Sequence, residues 1–289
     1  MISVIGSINL DKVYTVDKLP QKGETLISRQ YQEFSGGKGA NQAVAASRLG
    51  ARVTFFGCVG EDTDGEKLIN NMQYENINTR FIKKSNEPTG SAVIFVGEKD
   101  NMIVVNPGAN KEVTTEYIDL NNVLFKESRY IILQNEIPYE TVKYVINKYH
   151  NYAKIIYNPA PYRDVDTELL KKVFLSTPNY DECLALFGSV EKAFEVLRTR
   201  LVVTNGSEGV LYYDNGIKTI PALQVKAYDT TGAGDSFNGA LVAFLEKGLT
   251  TIQSLKFANA AAALSVTQLG AQSGMPTYYE LVDFINKKV

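Results

Sequence analysis

Residues 229–241 place a carboxylate inside a glycine-rich turn, in the stretch Asp-Thr-Thr-Gly-Ala-Gly-Asp-Ser-Phe-Asn-Gly-Ala-Leu. Because this turn leads into a helix-like segment, its free backbone N–H groups and the helix dipole predict an anion site. Asp235 would repel an anion there unless it has a chemical task. Phosphoryl transfer supplies one, since a carboxylate can accept the proton of an attacking hydroxyl while N–H groups hold the phosphoryl charge. On this stretch alone, the alternative that Asp235 merely stabilises the helix N-terminus stays open.

Two further stretches carry residue types that bind a polyhydroxylated ligand. Residues 35–43 (Ser-Gly-Gly-Lys-Gly-Ala-Asn-Gln-Ala) again lead from glycines into a small-residue helix, where Asn41 offers both a donor and an acceptor. Residues 6–11 follow the first strand, and there Asn9 and Asp11 alternate onto one side of an extended chain. Tight helix packing and an ordinary polar turn are the respective structural alternatives for these two stretches.

The elements that must position these residues alternate between short apolar strands and helices along most of the chain. Ile2–Ile5 and Val53–Cys58 are apolar strands on either side of the helix-like run Lys38–Leu49. Apolar strands between helices predict a parallel sheet that is covered on both faces. In such an α/β fold, ligands bind at the carboxyl ends of the strands.

Two segments interrupt this alternation. Asp11–Phe34 and Gly90–Asn106 show strand-like patterning with no long helix, and the second is typical of a hairpin with its turn at Gly97–Asn101. We expect them to form a small antiparallel sheet beside the main domain, which would close over a ligand as a lid. An edge extension of the main sheet is the alternative.

Composition excludes several functional classes. The 289 residues carry 30 Lys and Arg against 32 Asp and Glu, and this net charge of −2 argues against nucleic-acid and membrane-surface partners. A single histidine, His150, rules out a histidine metal site. The two cysteines lie in apolar stretches and are expected to be reduced and buried. With no apolar run long enough for a membrane span and no signal peptide, we expect one soluble, cytoplasmic domain over residues 1–289.

Taken together, the three stretches resemble the signatures of the ribokinase-like (phosphofructokinase-B type) carbohydrate kinase family. DTTGAGDSFNGAL is similar to the C-terminal signature of that family and GGKGANQAVAASRLGA to its N-terminal one, and the resemblance runs over residues 2–285. It implies a Rossmann-like α/β domain with a central, mostly parallel sheet flanked by helices, and a small antiparallel β-sheet lid formed by residues 11–34 and 90–106. It also implies ATP as co-substrate, Mg²⁺, and a homodimer that pairs through the lid.

Several shorter segments, GSINLD, LQNEIP, NPAP, TPNYDE and TNGSEGV, are similar to those of family members that phosphorylate D-ribose on its primary 5-hydroxyl. The resemblance therefore implies a ribose kinase. Kinases of deoxyribose, fructose, 2-keto-3-deoxygluconate or a nucleoside stay open as alternatives within the family. A non-catalytic sugar or nucleotide sensor on the same fold would not need Asp235, so this carboxylate argues against a sensor.

The resemblance also implies a role for each matching position. The catalytic group is Asp235 as the base, with the anion hole at Thr231, Gly232, Ala233 and Gly234. Sugar binding is implied for Asn9, Asp11, Gly37, Lys38, Asn41, Glu136 and Asp235. Nucleotide binding is implied for Asn179, Thr204, Gly206, Gly209, Gly234 and Asn259. Glu182 would hold Mg²⁺ through water, which suits a hard cation that keeps most of its waters.

A loop for a monovalent cation is the last implied site, and its residues are Asp229, Thr231, Ser265, Gln268 and Gly270. We expect potassium to activate the enzyme through this loop. One position departs from the family pattern, because Gly274 stands where related kinases often have a serine.

Overall fold

The computed structural model describes residues 1–97 and 100–288. The strands are β1 Ile2–Ile5, β2 Asn9–Thr15, β3 Gln30–Gly36, β4 Val53–Gly60, β5 Asn78–Ser85, β6 Gly90–Val96, β7 Asn101–Asn106, β8 Tyr130–Leu133, β9 Lys154–Tyr157, β10 Leu175–Ser176, β11 Val202–Thr204, β12 Val210–Tyr213 and β13 Ile217–Ile220. The helices are α1 Lys38–Arg48, α2 Thr63–Tyr74, α3 Thr115–Leu120, α4 Asn122–Glu127, α5 Tyr139–Tyr149, α6 Thr167–Leu170, α7 Tyr180–Phe187, α8 Val190–Leu197, α9 Ala233–Glu246, α10 Thr251–Ser265 and α11 Tyr278–Lys288.

Six strands form a central sheet in the order β10-β9-β8-β1-β4-β5, and every neighbouring pair runs parallel. Strands β11, β12 and β13 form an antiparallel sheet, which a parallel bridge between Ser176 and Leu201 joins to the central one. The predicted α/β class with a mostly parallel sheet is confirmed. Because β1 lies inside the sheet, the residues that follow it emerge at the carboxyl edge beside those that follow β4 and β8.

The central strands are continuous apolar runs because helices cover both faces of the sheet. In β8, Tyr130 and Ile132 pack into one core cluster with α1, α9 and α10. The alternate residues Ile131 and Leu133 pack into a second cluster with α3, α5 and α8. The two-residue period of the strand thus divides the core into two layers.

Helices α1 and α9 pack closely because both present small residues to each other. A Cβ atom at Gly239 would lie 2.5 Å from the Cβ of Ala45 and 2.5 Å from the carbonyl oxygen of Gln42, so glycine is required there. The small residues of α1 therefore serve helix packing. The same close approach brings the side chains of Asn41 and Gln42 to the start of α9.

A separate four-stranded sheet has the order β3-β2-β6-β7. The sheet predicted to be antiparallel is mixed: the pairs β2–β3 and β6–β7 are antiparallel, as predicted, but the central pair β2–β6 is parallel. This parallel pair arises because β2 and β6 both leave the carboxyl edge of the central sheet, the first after β1 and the second after β5. The turn predicted at 97–101 contains Glu98 and Lys99, which lie outside the described residues.

The remaining expectations concern single residues and membrane helices. Cys58 and Cys183 are free and buried, as predicted. His150 caps the C-terminus of α5 and contacts backbone carbonyls of that helix. Within residues 1–97 and 100–288, every helix is too short or too polar to cross a membrane.

Arg198, directly after α8, has φ 47° and ψ −121°, a conformation that glycine adopts far more easily than arginine. We predict that Arg198→Gly raises the thermal unfolding midpoint by about 2 °C. Relief of roughly 1–3 kcal/mol of backbone strain should exceed the roughly 1 kcal/mol of entropy that glycine adds to the unfolded chain. Differential scanning calorimetry measures the shift.

Asn215→Gly is the matched control, because Asn215 also has a positive φ, of 51°, but asparagine tolerates that region better than arginine. The control should change the midpoint less than Arg198→Gly does. A lower midpoint for Arg198→Gly would show that the arginine side chain stabilises this turn more than its backbone strains it.

Candidate active site

The predicted anion site lies at the start of α9. Gly232 has φ 76°, and a Cβ atom there would lie 2.8 Å from the carbonyl oxygen of Ala271, so both conformation and space require glycine. A Cβ at Gly234 would meet open space. Among the described residues, the N–H groups of Gly234 and Asp235 have no hydrogen-bond acceptor. These free donors lie at the positive end of the α9 dipole, beside the buried Asp235 carboxylate.

A cavity of about 490 Å³ opens on one side of Asp235. All positions predicted to bind the nucleotide line it: Asn179, Thr204, Gly206, Gly209, Gly234 and Asn259. Its lining also includes apolar residues such as Leu223, Val225 and Val266. Asn259 donates from Nδ2 to the carbonyl oxygen of Pro221 at 2.8 Å, so this side chain anchors the segment that forms one wall of the cavity.

The Asn-Tyr-Asp-Glu motif forms a capping box at the N-terminus of α7. Asn179 Oδ1 accepts from the N–H of Glu182 at 2.7 Å, and Glu182 Oε2 accepts from the N–H of Asn179 at 2.8 Å. Burial raises the pKa of Glu182, against the effect of that hydrogen bond. Because the capping box uses only Oε2, the other carboxylate oxygen is left for a ligand in the cavity.

Lys38 lines the same cavity as Glu182 and Asp235. The negative charge of Asp235, followed by those of Glu136 and Glu182, raises the pKa of Lys38 despite its burial. Its ammonium group is therefore the positive charge at the point where these carboxylates converge. The backbone N–H of Lys38 donates to Glu136 Oε2 at 2.9 Å, so the residue has a second, structural contact on the other side.

Apart from Lys38 and Asp235, the residues predicted to bind the sugar are not part of the lining of that cavity. Asn9 and Asp11 lie on β2, where Asn9 pairs with Gly36, and Gly37 precedes α1 with φ 87°. Asn9 Oδ1 accepts from Nδ2 of Asn110 at 2.8 Å. Because Asn110 fixes that oxygen, the NH₂ group of Asn9 is turned away as a free donor.

Two of the predicted sugar-binding residues, Glu136 and Asp11, are acids whose environments differ. Glu136 Oε2 accepts from the hydroxyl of Ser7 at 2.5 Å and from the N–H of Lys38, so it ties the end of β1 to the start of α1. Burial, then Glu136 and Asp235, raise the pKa of Asp11 from 3.8 to about 7. Asn41 donates from Nδ2 to Asp235 Oδ2 at 3.0 Å, so this predicted sugar-binding residue is in direct contact with the predicted base.

The two halves of the predicted monovalent-cation loop lie together. Asp229 Oδ1 accepts from the N–H of Thr231 at 2.9 Å and Oδ2 from the N–H of Gly270 at 2.8 Å. Partial burial opposes ionisation of Asp229, but these hydrogen bonds outweigh it and lower its pKa. A Cβ at Gly274 would lie 1.9 Å from the carbonyl oxygen of Ser265, so this local backbone has no room for the serine of related kinases. Gln268 is exposed, and its predicted contribution to the loop is its backbone carbonyl.

Comparison with known proteins gives the family. Residues 1–278 match the model of the pfkB family carbohydrate kinases. The chain belongs to that family. A ribokinase of Lactococcus lactis is 41% identical over 97% of this chain and 95% of its own length. The structure of a Thermotoga maritima ribokinase has a TM-score of 0.91 and 37% identity, with 99% of each chain covered. An Arabidopsis thaliana ribokinase complexed with ribose and ATP has a TM-score of 0.89 and 27% identity, with 98% of each chain covered.

Within this pfkB fold, several buried amides near the base were not among the predicted site residues. Gln42 donates to Asp235 Oδ1 at 3.0 Å, and Gln272 donates to Asn41 at 3.0 Å. Asn158 and Asn110 hold neighbouring side chains by further hydrogen bonds. Gln42 and Asn158 lie inside the motifs GGKGANQA and NPAP, so the motifs indicated their location, but only the packing of α1 on α9 shows what Gln42 contacts.

Asp11 should make the stability of this kinase depend on pH. A carboxyl group whose pKa is raised on folding contributes stability below the unfolded pKa, near 3.8, and loses it as the pH rises through about 7. Asparagine cannot ionise, so Asp11→Asn should gain stability relative to the wild type as the pH rises from 4 to 8. The gain should reach at most about 4 kcal/mol. Urea unfolding of the ligand-free protein at five pH values measures it.

Asp283→Asn supplies the same substitution at an exposed position of α11. The difference between the two variants then reports on burial of the carboxylate rather than on loss of charge in general. Parallel pH profiles for Asp11→Asn and the wild type would contradict the raised pKa of Asp11.

Proposed function

We propose that this chain transfers the γ-phosphoryl group of ATP to the primary 5-hydroxyl of D-ribose, with Asp235 as the general base. The observation that carries the proposal is the position of Asp235, which lines the cavity, accepts a hydrogen bond from Asn41 and lies beside two free N–H donors. The ribokinase similarity over nearly the whole chain supports ribose as the acceptor. The ATP-bound relative supports ATP as the donor.

Different residues of the site would bind the sugar, accept the proton and stabilise the phosphoryl charge. Asp11 and the free NH₂ group of Asn9 would bind the ribose hydroxyls and orient the 5-hydroxyl toward Asp235. Asp235 would then take the proton of that hydroxyl as it attacks phosphorus. The N–H groups of Gly234 and Asp235 would hold the charge that develops on the phosphoryl oxygens, and Lys38 would neutralise part of it. The four-stranded sheet would act as a lid that excludes water from this transfer.

Two cations belong to the proposal. Glu182 lines the cavity and its capping box uses only one carboxylate oxygen, which suits Mg²⁺ held through water; when bound, Mg²⁺ would neutralise charge on the phosphates. The loop of Asp229, Thr231, Ser265, Gln268 and Gly270 would bind potassium with backbone oxygens as its main ligands. Since Gly274 offers no hydroxyl, the remaining ligands must suffice. The two reduced cysteines fit a cytoplasmic location.

The test of substrate is ADP release with MgATP and potassium, across D-ribose, 2-deoxyribose, fructose, 2-keto-3-deoxygluconate and adenosine. We expect a strong preference for ribose. A preference for another of these acceptors would keep the kinase mechanism and overturn ribose. No ADP release with any of them would contradict the kinase itself. Replacing potassium by sodium in the same assay measures the monovalent-cation dependence.

Asp235→Asn tests the base. We predict a fall in kcat of about 10²- to 10⁴-fold, because asparagine cannot accept the proton, while the Kd for ribose changes by no more than about threefold. Asp181→Asn is the matched control, since Asp181 is an exposed acid in the first turn of α7 and tests the general effect of an acid at a helix N-terminus. Near-normal turnover of Asp235→Asn would show that Asp235 only stabilises the N-terminus of α9.

The lid also carries the proposed dimer contact. The edge strand β7 exposes Met102, Ile103, Val104 and Val105, each between 43 and 60% accessible. Such an apolar edge strand is a surface that proteins usually cover. We predict that Val104→Lys converts a dimer into a monomer in sedimentation velocity. Val123→Lys, at a 66% exposed valine on α4, is the matched control and should leave the dimer intact. A wild-type monomer would contradict the proposed pairing.

A further inference from the structure

Asp235 binds two side-chain amides, one at each carboxylate oxygen. Oδ1 accepts from Nε2 of Gln42 and Oδ2 accepts from Nδ2 of Asn41, both at 3.0 Å. All three residues are buried. An ionised carboxylate can only accept, so both amides must turn their NH₂ groups toward it. The carbonyl oxygens of both amides therefore face away from the base and need donors of their own.

Two glutamines from distant parts of the chain are these donors. Gln134, directly after β8, donates from Nε2 to Gln42 Oε1 at 2.7 Å. Gln272, in the loop after α10, donates from Nε2 to Asn41 Oδ1 at 3.0 Å. Each oxygen of Asp235 is thus the last acceptor in a chain of two amides, and every amide in both chains directs its NH₂ group toward Asp235.

The orientation of Gln42 follows from acceptors whose polarity is fixed. Asn158 donates from Nδ2 to the backbone carbonyl of Thr177 at 2.8 Å, which turns its Oδ1 toward Gln42. Nε2 of Gln42 donates to that oxygen at 3.2 Å as well as to Asp235. Since both hydrogens of Nε2 have acceptors, Oε1 of Gln42 must be the atom that faces Gln134.

Gln134 makes this donation although its own oxygen is left unpaired. Its Oε1 is buried and has no hydrogen-bond partner in the described part of the chain. Gly6 makes room for it, because a Cβ there would lie 2.2 Å from that oxygen. Turning the amide over would bring two carbonyl oxygens together at Gln42. A buried unpaired acceptor is unfavourable, so the contact with Gln42 is the interaction that holds Gln134 in place.

We propose that Gln134 and Gln42 are positioning residues, a relay that holds the Asp235 carboxylate in the orientation in which it accepts the proton of the sugar hydroxyl. This inference rests on the proposed role of Asp235 as the base. Both glutamines are fully buried, and neither is among the residues that line the nucleotide cavity. The relay should therefore affect the chemical step and leave substrate affinity nearly unchanged.

Gln134→Glu and Gln134→Met separate a relay from simple packing. The ionised glutamate cannot donate to Gln42, so the Gln42 amide must turn over and present its oxygen to Asp235. We expect kcat to fall by about 10²-fold in Gln134→Glu at pH 8 and by about tenfold in Gln134→Met, with KM for ribose and ATP within about threefold. As the pH falls, the introduced carboxyl group becomes protonated and can donate again. The kcat of Gln134→Glu should then rise relative to that of Gln134→Met.

The charged groups that face Asp235 are the same in both variants. They are Asp11 on β2, Lys38 on α1 and Glu182 on α7, and Glu136 lies beside Asp11 and Lys38. Their titration therefore affects the two profiles alike, and the ratio of the two kcat values reports on position 134. Gln73→Glu, an exposed glutamine on α2, is the control for the substitution itself and should keep wild-type kinetics.

Asp235→Asn, measured in parallel, separates the relay from the proposed function. If Asp235→Asn loses turnover but both Gln134 variants keep wild-type kcat at every pH, the relay is wrong and the base stands. If Asp235→Asn keeps its turnover, the base assignment falls and the relay falls with it. Thermal unfolding checks that each variant folds; should Gln134→Glu fail, the tenfold loss in Gln134→Met with unchanged KM decides the question. A loss that appears in KM instead would indicate packing and overturn the proposal.

Discussion

The close packing of α1 against α9 is the contact on which the site depends. It requires glycine at position 239, where the two helix backbones approach too closely for any side chain. That approach places consecutive amides of α1, from Asn41 and Gln42, on the two oxygens of Asp235. The small residues of both helices therefore allow the close packing and, through it, the two hydrogen bonds to Asp235. A wider separation would leave the base without either amide.

The charges around Asp235 are unbalanced within the chain. Asp11, Glu136, Asp235 and Glu182 converge, and Lys38 is the cation whose pKa responds to three of them. Burial of so many carboxylates is unfavourable unless protons, cations or hydrogen bonds compensate. Part of the compensation comes from the Ser7 hydroxyl and the Lys38 N–H, which both donate to Glu136, and from the raised pKa of Asp11. The arrangement suits a site that meets hydroxyl donors on one side and a metal–nucleotide complex on the other.

Sequence patterns predicted the architecture well because long apolar strands and their flanking helices are local features. The parallel sheet, the helix at Lys38–Arg48 and the helix that carries Asp235 all follow from such patterns. The parallel pairing of β2 with β6 was not predicted, because it depends on where two distant segments leave the central sheet. The hairpin β12–β13 was also missed, since neither strand shows a regular alternation: β12 is a continuous run of apolar and aromatic residues, and β13 is mostly exposed.

The candidate site likewise combines residues that local motifs indicate with residues whose contacts depend on the fold. Local motifs directly indicate some site residues, because their conformation depends on neighbours in the sequence. These are Asp235, Gly232, and Asn179 and Glu182 of the capping box. Gln134 and Gln272 contact their partners 92 and 231 residues away, and nothing in their local sequence reveals those contacts. Only the folded chain shows which amide meets which.

The turn before α9 is also held from outside the motif that contains it. Gly232 packs against the carbonyl oxygen of Ala271, and Asp229 binds the N–H of Gly270 one residue earlier. A Cβ atom at Gly270 would also lie only 3.0 Å from the ring of Phe34, which belongs to β3. The segment at 270–271 thus contacts both the anion site and the four-stranded sheet. Because these contacts leave little free space, a shift of that segment would move the free N–H groups of Gly234 and Asp235. The geometry of the predicted anion site therefore depends on three chain segments, although its donors come from one.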